Sequence, residues 1–178
     1  MTNVSFVEEN CFFQTAFFKF SVIVTRKNNY LGMLLVKNEF DEQSQTYSFM
    51  KSSVFVFADA AMALSARLAE ITEGINAALD KYELEKDNLT NSLTTMWSLT
   101  FHERGNQQYR IQMIAKYDMQ PQIGLAAYWE KWHVGWIPLK GAVFMPKNTW
   151  DRFYEALPEI MSSLCVELAR DRGALFAC

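Results

Sequence analysis

The side chains best suited to chemistry in this chain are cations and aromatic rings that alternate along two apolar segments. In QYRIQMIAKYD, Arg110, Gln112 and Lys116 share one parity, so on a β-strand they would face the same side. In AAYWEKWHVGW, three tryptophans lie among Lys131 and His133. Binding of single-stranded nucleic acid requires cations along the phosphates and flat rings on which bases stack. Both segments therefore favour such a binding surface, with packing of the rings in a core or a subunit interface as the alternative.

Cations recur at comparable places in the first half of the chain. Arg26 and Lys27 precede one polar turn and Arg104 precedes another, so two basic hairpin ends could hold a phosphate backbone from both sides. Two solvated turns are the alternative. The residues predicted to contact nucleic acid are Lys19, Arg26, Lys27, Lys37, Lys51, Arg104, Arg110, Lys116, Trp129, Lys131, Trp132, Trp136 and Lys140.

The charge of the chain is unevenly distributed along its length. The net charge is −3, but segments 17–57 and 96–146 together hold ten Lys and Arg against six Asp and Glu. The remaining segments are correspondingly acidic. An anionic ligand should therefore prefer these two segments, although the chain as a whole is acidic.

Signals for an enzyme are weak. The chain has two histidines, and His102 is followed by Glu103, but adjacent side chains on a strand point to opposite faces. No third residue has metal-ligand spacing, and the seven glycines form no phosphate-binding loop. We expect no catalytic residues, no metal and no cofactor.

An internal similarity links the two halves. At a shift of 89 residues, Val54 falls on Val143 and Asp59 falls on Asn148, two residue types that cap helix N-termini. The apolar stripe that follows also coincides: Leu64, Leu68, Ile71, Ile75 and Leu79 fall on Phe153, Leu157, Ile160, Leu164 and Leu168. Upstream, segment 17–37 aligns with 96–116 at a shift of 79. The change of shift predicts about ten extra residues before the last strand of the second half.

These patterns predict an α+β fold of two ββββα repeats, with antiparallel curved sheets and two long helices packed together. Residues 1–94 would form the first repeat with its linker and residues 95–178 the second, in one compact pseudo-symmetric unit. A helix covers only one face of a four-stranded sheet. The opposite face would remain for solvent, another sheet or a ligand.

The segment PLKGAVFMPKNTW, residues 138–150, resembles the last strand and helix start of the positive-cofactor-four transcriptional coactivators. Two ββββα units in one chain are also similar to the Whirly and Pur-alpha proteins. The resemblance implies binding of single-stranded DNA or RNA on curved sheets, by dimers or higher assemblies. The first half lacks the Lys140–Gly141 pair and Trp150, so the second half is expected to bind better.

We therefore expect a sequence-tolerant protein for single-stranded DNA, or less favourably RNA, that acts in replication, recombination or transcription. The alternative is an oligomeric protein–protein interaction module that uses the same sheet faces. We expect a homo-oligomer with no membrane partner. The N-terminus MTNVSFVEEN resembles neither a signal nor a transit peptide, and three dispersed cysteines suit a reduced compartment, so an intracellular protein of the cytoplasm or nucleoid is expected.

Overall fold

A computed structural model describes residues 4–175, without the side chains of residues 4–7, 48–51, 140 and 172–175. Within this range the fold is α+β, with two antiparallel four-stranded sheets and three α-helices. The first sheet has the order β1 (Val4–Gln14), β2 (Phe18–Lys27), β3 (Tyr30–Asp41) and β4 (Thr46–Phe57). The second has the order β5 (Thr94–Arg104), β6 (Gln107–Lys116), β7 (Met119–Lys131) and β8 (Gly135–Met145). The helices are α1 (Ala58–Ala66), α2 (Leu68–Glu85) and α3 (Lys147–Leu175), and a 3₁₀ turn (Lys86–Asn88) precedes β5.

Each sheet is a meander whose tight turns use residues that tolerate a left-handed backbone. Asn28 and Asn29, between β2 and β3, have φ angles of 51° and 67°. Asp118, between β6 and β7, has a φ of 57°. Short polar side chains reduce the cost of this conformation, so the polar turns read from the sequence match the hairpins.

The predicted alignment of the upstream strands is wrong. Segment 17–37 covers β2 and β3, whereas segment 96–116 covers β5 and β6, which hold different places in the second sheet. The first residues of β2, β3 and β4 lie 89 residues before those of β6, β7 and β8. The ten extra residues are also absent, because β3 has 12 residues and β7 has 13. Apolar and polar residues alternate in a similar way in every strand, so an alignment shifted by one whole strand is hard to detect from the sequence.

The single long helix predicted after the first sheet is two helices, because the chain turns at Arg67. This residue has φ −104° and ψ 14°, outside the helical range, and its N–H bonds to the carbonyls of both Ala63 and Leu64. The predicted caps are also displaced by one or two residues. Asp59 and Asn148 lie inside the first turns of α1 and α3, where each side-chain oxygen accepts the N–H of the next residue.

Helices α2 and α3 each pack on the sheet formed by the other half of the chain. Helix α3 packs on β1, β2 and β3, where the rings of Phe153 and Phe12 are 5.4 Å apart. Helix α2 packs on β5, β6 and β7, with Gly74 directly against Trp97. The predicted pairing of two long helices is thus only partly observed, since α1 contacts α3 while α2 mainly covers a sheet.

The predicted apolar stripes are the buried faces of the helices. Fully buried stripe residues are Leu64, Ile71, Ile75, Phe153, Leu157, Ile160 and Leu164. Each such side chain contributes about 1.5–3 kcal/mol by leaving water. Trp150, at the start of α3, is buried with them. The helices therefore shield one face of each sheet, and the opposite faces are called the outer faces below.

The two sheets meet where β4 runs beside β8. At the closest approach, a Cβ atom placed on Gly141 would lie 2.5 Å from the carbonyl oxygen of Ser53. Gly141 also has a φ of 146°, which L side chains rarely adopt. Glycine is therefore required at this junction. Among the residues described, no helix is long and apolar enough to span a membrane.

Candidate nucleic-acid interface

A groove of about 600 Å³ lies beside the junction of the two sheets and is called the inter-sheet groove. It is bounded by the outer face of the first sheet and by the ends of β6, β7 and β8. The residues that line the groove include Lys27, Tyr30, Phe55, Phe57, Gln107, Tyr109 and Trp129. The volume lies within the usual range of ligand pockets, about 300–1,000 Å³.

Among the described residues, five aromatic rings line the inter-sheet groove. The ring of Phe57 meets those of Tyr30 and Phe55 edge-to-face, with centroids 5.7 and 5.3 Å away. The Tyr109 ring is 6.5 Å from Phe57, and its hydroxyl accepts a hydrogen bond from Gln107 Nε2 at 3.0 Å. Burial raises the pKa of Tyr109 to about 12, so this phenol stays neutral at physiological pH. Edge-to-face contacts hold the rings in fixed orientations.

Two cations lie over these rings. The Lys27 ammonium is 5.7 Å from the centre of the Phe55 ring. The Arg104 guanidinium is 5.1 Å from the centre of Phe57 and 5.5 Å from that of Tyr30. Asp59 lies 3.6 Å from Arg104 and 3.5 Å from His102 Nε2, at the start of α1. The structure thus brings Lys27 and Arg104, one residue from each predicted hairpin end, to one aromatic surface.

Three other predicted cations are engaged elsewhere. Arg26 points to the helix side and forms two hydrogen bonds with Asp171 of α3, at 2.8 and 2.5 Å. The bond to this carboxylate raises the pKa of Arg26, so the residue ties α3 to the first sheet. Lys37 lies 4.4 Å from the centre of the Phe18 ring. Lys19 pairs with Glu9 at 2.6 Å on the outer face.

The predicted tryptophans occupy three different environments. Trp129 lines the inter-sheet groove and is 45% exposed. Trp132, in the turn between β7 and β8, is 80% exposed and neighbours the exposed Lys131. Trp136 is half-buried on β8 opposite Glu130. Burial in the core, the alternative reading of these rings, therefore does not describe Trp129 or Trp132.

The outer face of the second sheet is polar. Arg110 Nε and Nη2 donate to Gln108 Oε1 at 2.9 and 2.6 Å, and its guanidinium lies 4.3 Å from the centre of the Tyr128 ring. Tyr128 donates to Gln112 Oε1 at 2.8 Å, and Gln108 donates to Glu103 Oε1 at 2.5 Å. These five residues are called the Arg110 cluster.

The predicted parity of β6 is confirmed in its central part. Tyr109, Ile111 and Met113 are fully buried on the helix side, while Arg110 and Gln112 occupy the outer face. Tyr117 shares the parity of Tyr109 but is 52% exposed, because it lies in the turn after β6. Lys116 ends β6 and is half-buried. The side chains of Lys51 and Lys140, both predicted site residues, lie outside those described.

Sequence reasoning missed the rings of the first half. Tyr30, Phe55 and Phe57 were not among the predicted site residues, yet all three line the groove. A signal was present, because Phe55 and Phe57 share one parity on β4 and flank Val56, which is buried on the helix side. In the described residues, no group of three or more His, Cys, Asp or Glu side chains could hold a metal ion.

No protein-family model matches this chain, and no curated protein shows significant similarity to it.

Proposed function

We propose that this protein binds single-stranded nucleic acid without strict sequence preference and takes unpaired bases into the inter-sheet groove. The observation that carries the proposal is the set of oriented rings in the groove, with Lys27 and Arg104 lying over them. Stacking of a base on an aromatic side chain is worth about 1–3 kcal/mol and tolerates any base. Cations beside the rings suit the phosphates that connect consecutive bases.

The geometry favours single strands over duplex. The walls of the groove come from both sheets, so a base has to leave its own stack to reach Phe57 or Trp129. An unpaired strand offers such bases at little cost, whereas a duplex loses pairing and stacking. We propose that the protein prefers single-stranded DNA to RNA and acts in replication, recombination or transcription.

We also propose that the two halves are copies of one ββββα unit, paired as in a Whirly-like pseudo-dimer. The first residues of β2, β3 and β4 each lie 89 residues before those of β6, β7 and β8, which supports this statement. The exchange of helices between the halves supports it as well, because each unit uses the other to cover its sheet. In this arrangement the residues 1–94 and 95–178 form one unit.

Fluorescence anisotropy with a labelled oligothymidylate tests the proposal. Binding at low salt should weaken linearly on a log–log plot against salt, with a slope of about −0.7 for each phosphate contacted. The matched duplex should bind much more weakly. Absence of binding at low salt, or equal affinity for duplex and single strand, would refute the proposal.

A second candidate is an oligomeric interaction module. The turn between β7 and β8 exposes 80% of Trp132 and 62% of Val134, two large apolar side chains close together in the chain. Such a tip suits a protein contact. Sedimentation velocity of the wild type and of Trp132→Ser addresses this candidate, because the substitution should shift an assembly toward smaller species.

A further inference from the structure

The Arg110 cluster is a preorganised hydrogen-bonding surface outside the inter-sheet groove. A guanidinium has two edges that can each donate a pair of parallel N–H groups. Gln108 Oε1 accepts from Nε at 2.9 Å and from Nη2 at 2.6 Å, so it occupies the side edge of Arg110. The end edge, formed by Nη1 and Nη2, points away from Gln108.

The orientation of Arg110 is fixed from a second direction. The Tyr128 ring lies 4.3 Å from the guanidinium carbon, a distance typical of a cation–π contact. The Tyr128 hydroxyl is itself held by Gln112 Oε1 at 2.8 Å. A charged side chain held on two sides loses little conformational entropy when it binds a ligand.

The charge of the Arg110 cluster argues against a phosphate as its ligand. Glu103 accepts a hydrogen bond of 2.5 Å from Gln108, so one amide joins the carboxylate to the guanidinium. The cluster is therefore close to neutral, and a phosphate would approach both a cation and a nearby anion. A base edge is neutral and offers donors and acceptors side by side, which suits this surface better.

We propose that the Arg110 cluster reads the edge of an unpaired base and selects guanine. Guanine presents two adjacent acceptors, N7 and O6, which match the two N–H groups of the end edge of Arg110. Arg110 is the specificity-determining residue, and Gln108 and Tyr128 are positioning residues. The inference rests on the proposed function, to which it adds a base preference at one position of the strand.

Two oligonucleotides that differ only at position 7 of each guanine test the inference. The first is an oligothymidylate with interspersed guanines, and in the second each guanine is 7-deazaguanine, whose N7 is replaced by C–H. The wild type should bind the guanine strand about tenfold more tightly. Arg110→Met keeps a side chain of similar length and removes its donors, so this ratio should fall to about one.

The salt dependence separates a base contact from a phosphate contact. Arg110→Ala should leave the salt slope unchanged, whereas loss of a phosphate contact reduces it by about 0.7. Two variants test the positioning role of Tyr128. Tyr128→Phe keeps the ring, so the preference for the guanine strand over the 7-deazaguanine strand should remain. Tyr128→Leu should lower this preference. A merely structural effect of Tyr128→Leu would weaken both oligonucleotides equally and would count against the positioning role.

Three results overturn the inference. Equal binding of both oligonucleotides by the wild type, an intact ratio in Arg110→Met, or a reduced salt slope in Arg110→Ala each refutes base reading. If Lys27→Glu weakens binding in that case, the inter-sheet groove and the proposed function stand. Failure of the wild type to bind either oligonucleotide refutes the proposed function and this inference with it.

Discussion

The outer faces of the two sheets differ in chemistry although their strands occupy matching places. On the first sheet, Phe55 and Phe57 offer rings with Lys27 beside them. On the second sheet, Arg110 and Glu103 are joined through an amide and leave a polar, nearly neutral surface. One face is suited to stacking and to phosphates, the other to hydrogen bonds. Two sheets with the same strand order can thus carry different outer side chains, because only the inner side chains must pack against the helices.

The contrast bears on one expectation from the sequence, which stays a prediction. The second half was expected to bind better, because it alone has Lys140–Gly141 and Trp150. Trp150 is buried in the first turn of α3, and Gly141 lies at the junction with Ser53. Both residues therefore act in packing. The rings over which the groove cations lie come from the first half, while the second half contributes Trp129 and Arg104.

The largest expected effect follows from adding a side chain at the close contact between β4 and β8, where the two sheets meet. Gly141→Val should destabilise the fold by about 2–4 kcal/mol, because its Cβ would clash with the Ser53 carbonyl and because φ is positive. Urea denaturation followed by circular dichroism measures the loss. The control is Gly105→Asn, at a turn glycine with φ 57° and no atom within 4 Å of an added Cβ, which should cost less than about 1 kcal/mol. Equal stability of the two variants would contradict the described junction.

A second prediction concerns the ring that the second half contributes to the groove. Trp129→Ala should weaken binding of oligothymidylate about tenfold, which corresponds to one lost stacking contact. Trp132→Ala provides the matched control, since Trp132 is 80% exposed at the hairpin tip outside the groove. Anisotropy titrations of both variants give the affinities. A larger loss of affinity in Trp132→Ala than in Trp129→Ala would indicate that the strand binds at the hairpin tip and not in the groove.

The third prediction tests the cation of the aromatic face. Lys27→Glu should lower the affinity about fivefold and should reduce the salt slope by about 0.7, because one phosphate contact is lost. Lys81→Glu on α2 makes the same charge change at a distant exposed site. Binding measured at several salt concentrations distinguishes the two variants. The same loss in both would show that only net charge matters.

The smallest expected effect is a gain in affinity. Glu9→Gln releases Lys19 from its ion pair on the outer face of the first sheet, so oligothymidylate should bind about twofold more tightly.

The hydrogen bond from Lys19 lowers the pKa of Glu9, so this pair stabilises the fold above the ordinary glutamate pKa and loses its effect as the pH falls through the lowered value. At pH 7 the variant should be less stable than the wild type by no more than about 0.5 kcal/mol, given the exposure of the pair.

Thermal denaturation of the wild type and Glu9→Gln across pH 3–7 follows this difference, which should vanish as the acid limit is approached. A difference in stability that grows on acidification would contradict the described pair.

Local patterns predicted the buried parts of the fold. The helix stripes and the inward residues of β6 follow from the spacing of apolar residues alone. A helix or strand with one buried face shows that spacing wherever it lies in the fold. The break at Arg67 could not be predicted in this way, since the apolar stripe continues from Leu64 to Ile71 across it. The turn of the chain depends on tertiary contacts, among them the bond from Arg67 to the Thr100 carbonyl on β5.

The candidate site was predictable only in part. Lys27, Arg104 and Trp129 were identified from charge and aromatic type, and these types are what an anionic, stacked ligand requires. Their meeting at one groove depends on β4 lying beside β8, a contact between segments almost ninety residues apart. Phe55 and Phe57 were read as ordinary strand residues for the same reason. Which face of a strand remains uncovered is decided by the helices of the other half.

The exchange of helices determines how this chain can fold. Without α3 the first sheet would expose Phe20, Val22 and Val24, and without α2 the second would expose Ile111 and Met113. Neither half can bury its own core, so the chain should unfold in one cooperative transition with no stable single-half intermediate. Many contacts also join residues far apart in the chain, which slows folding. A chain cleaved in the 89–93 segment should therefore yield two fragments that are unfolded alone and regain structure when mixed.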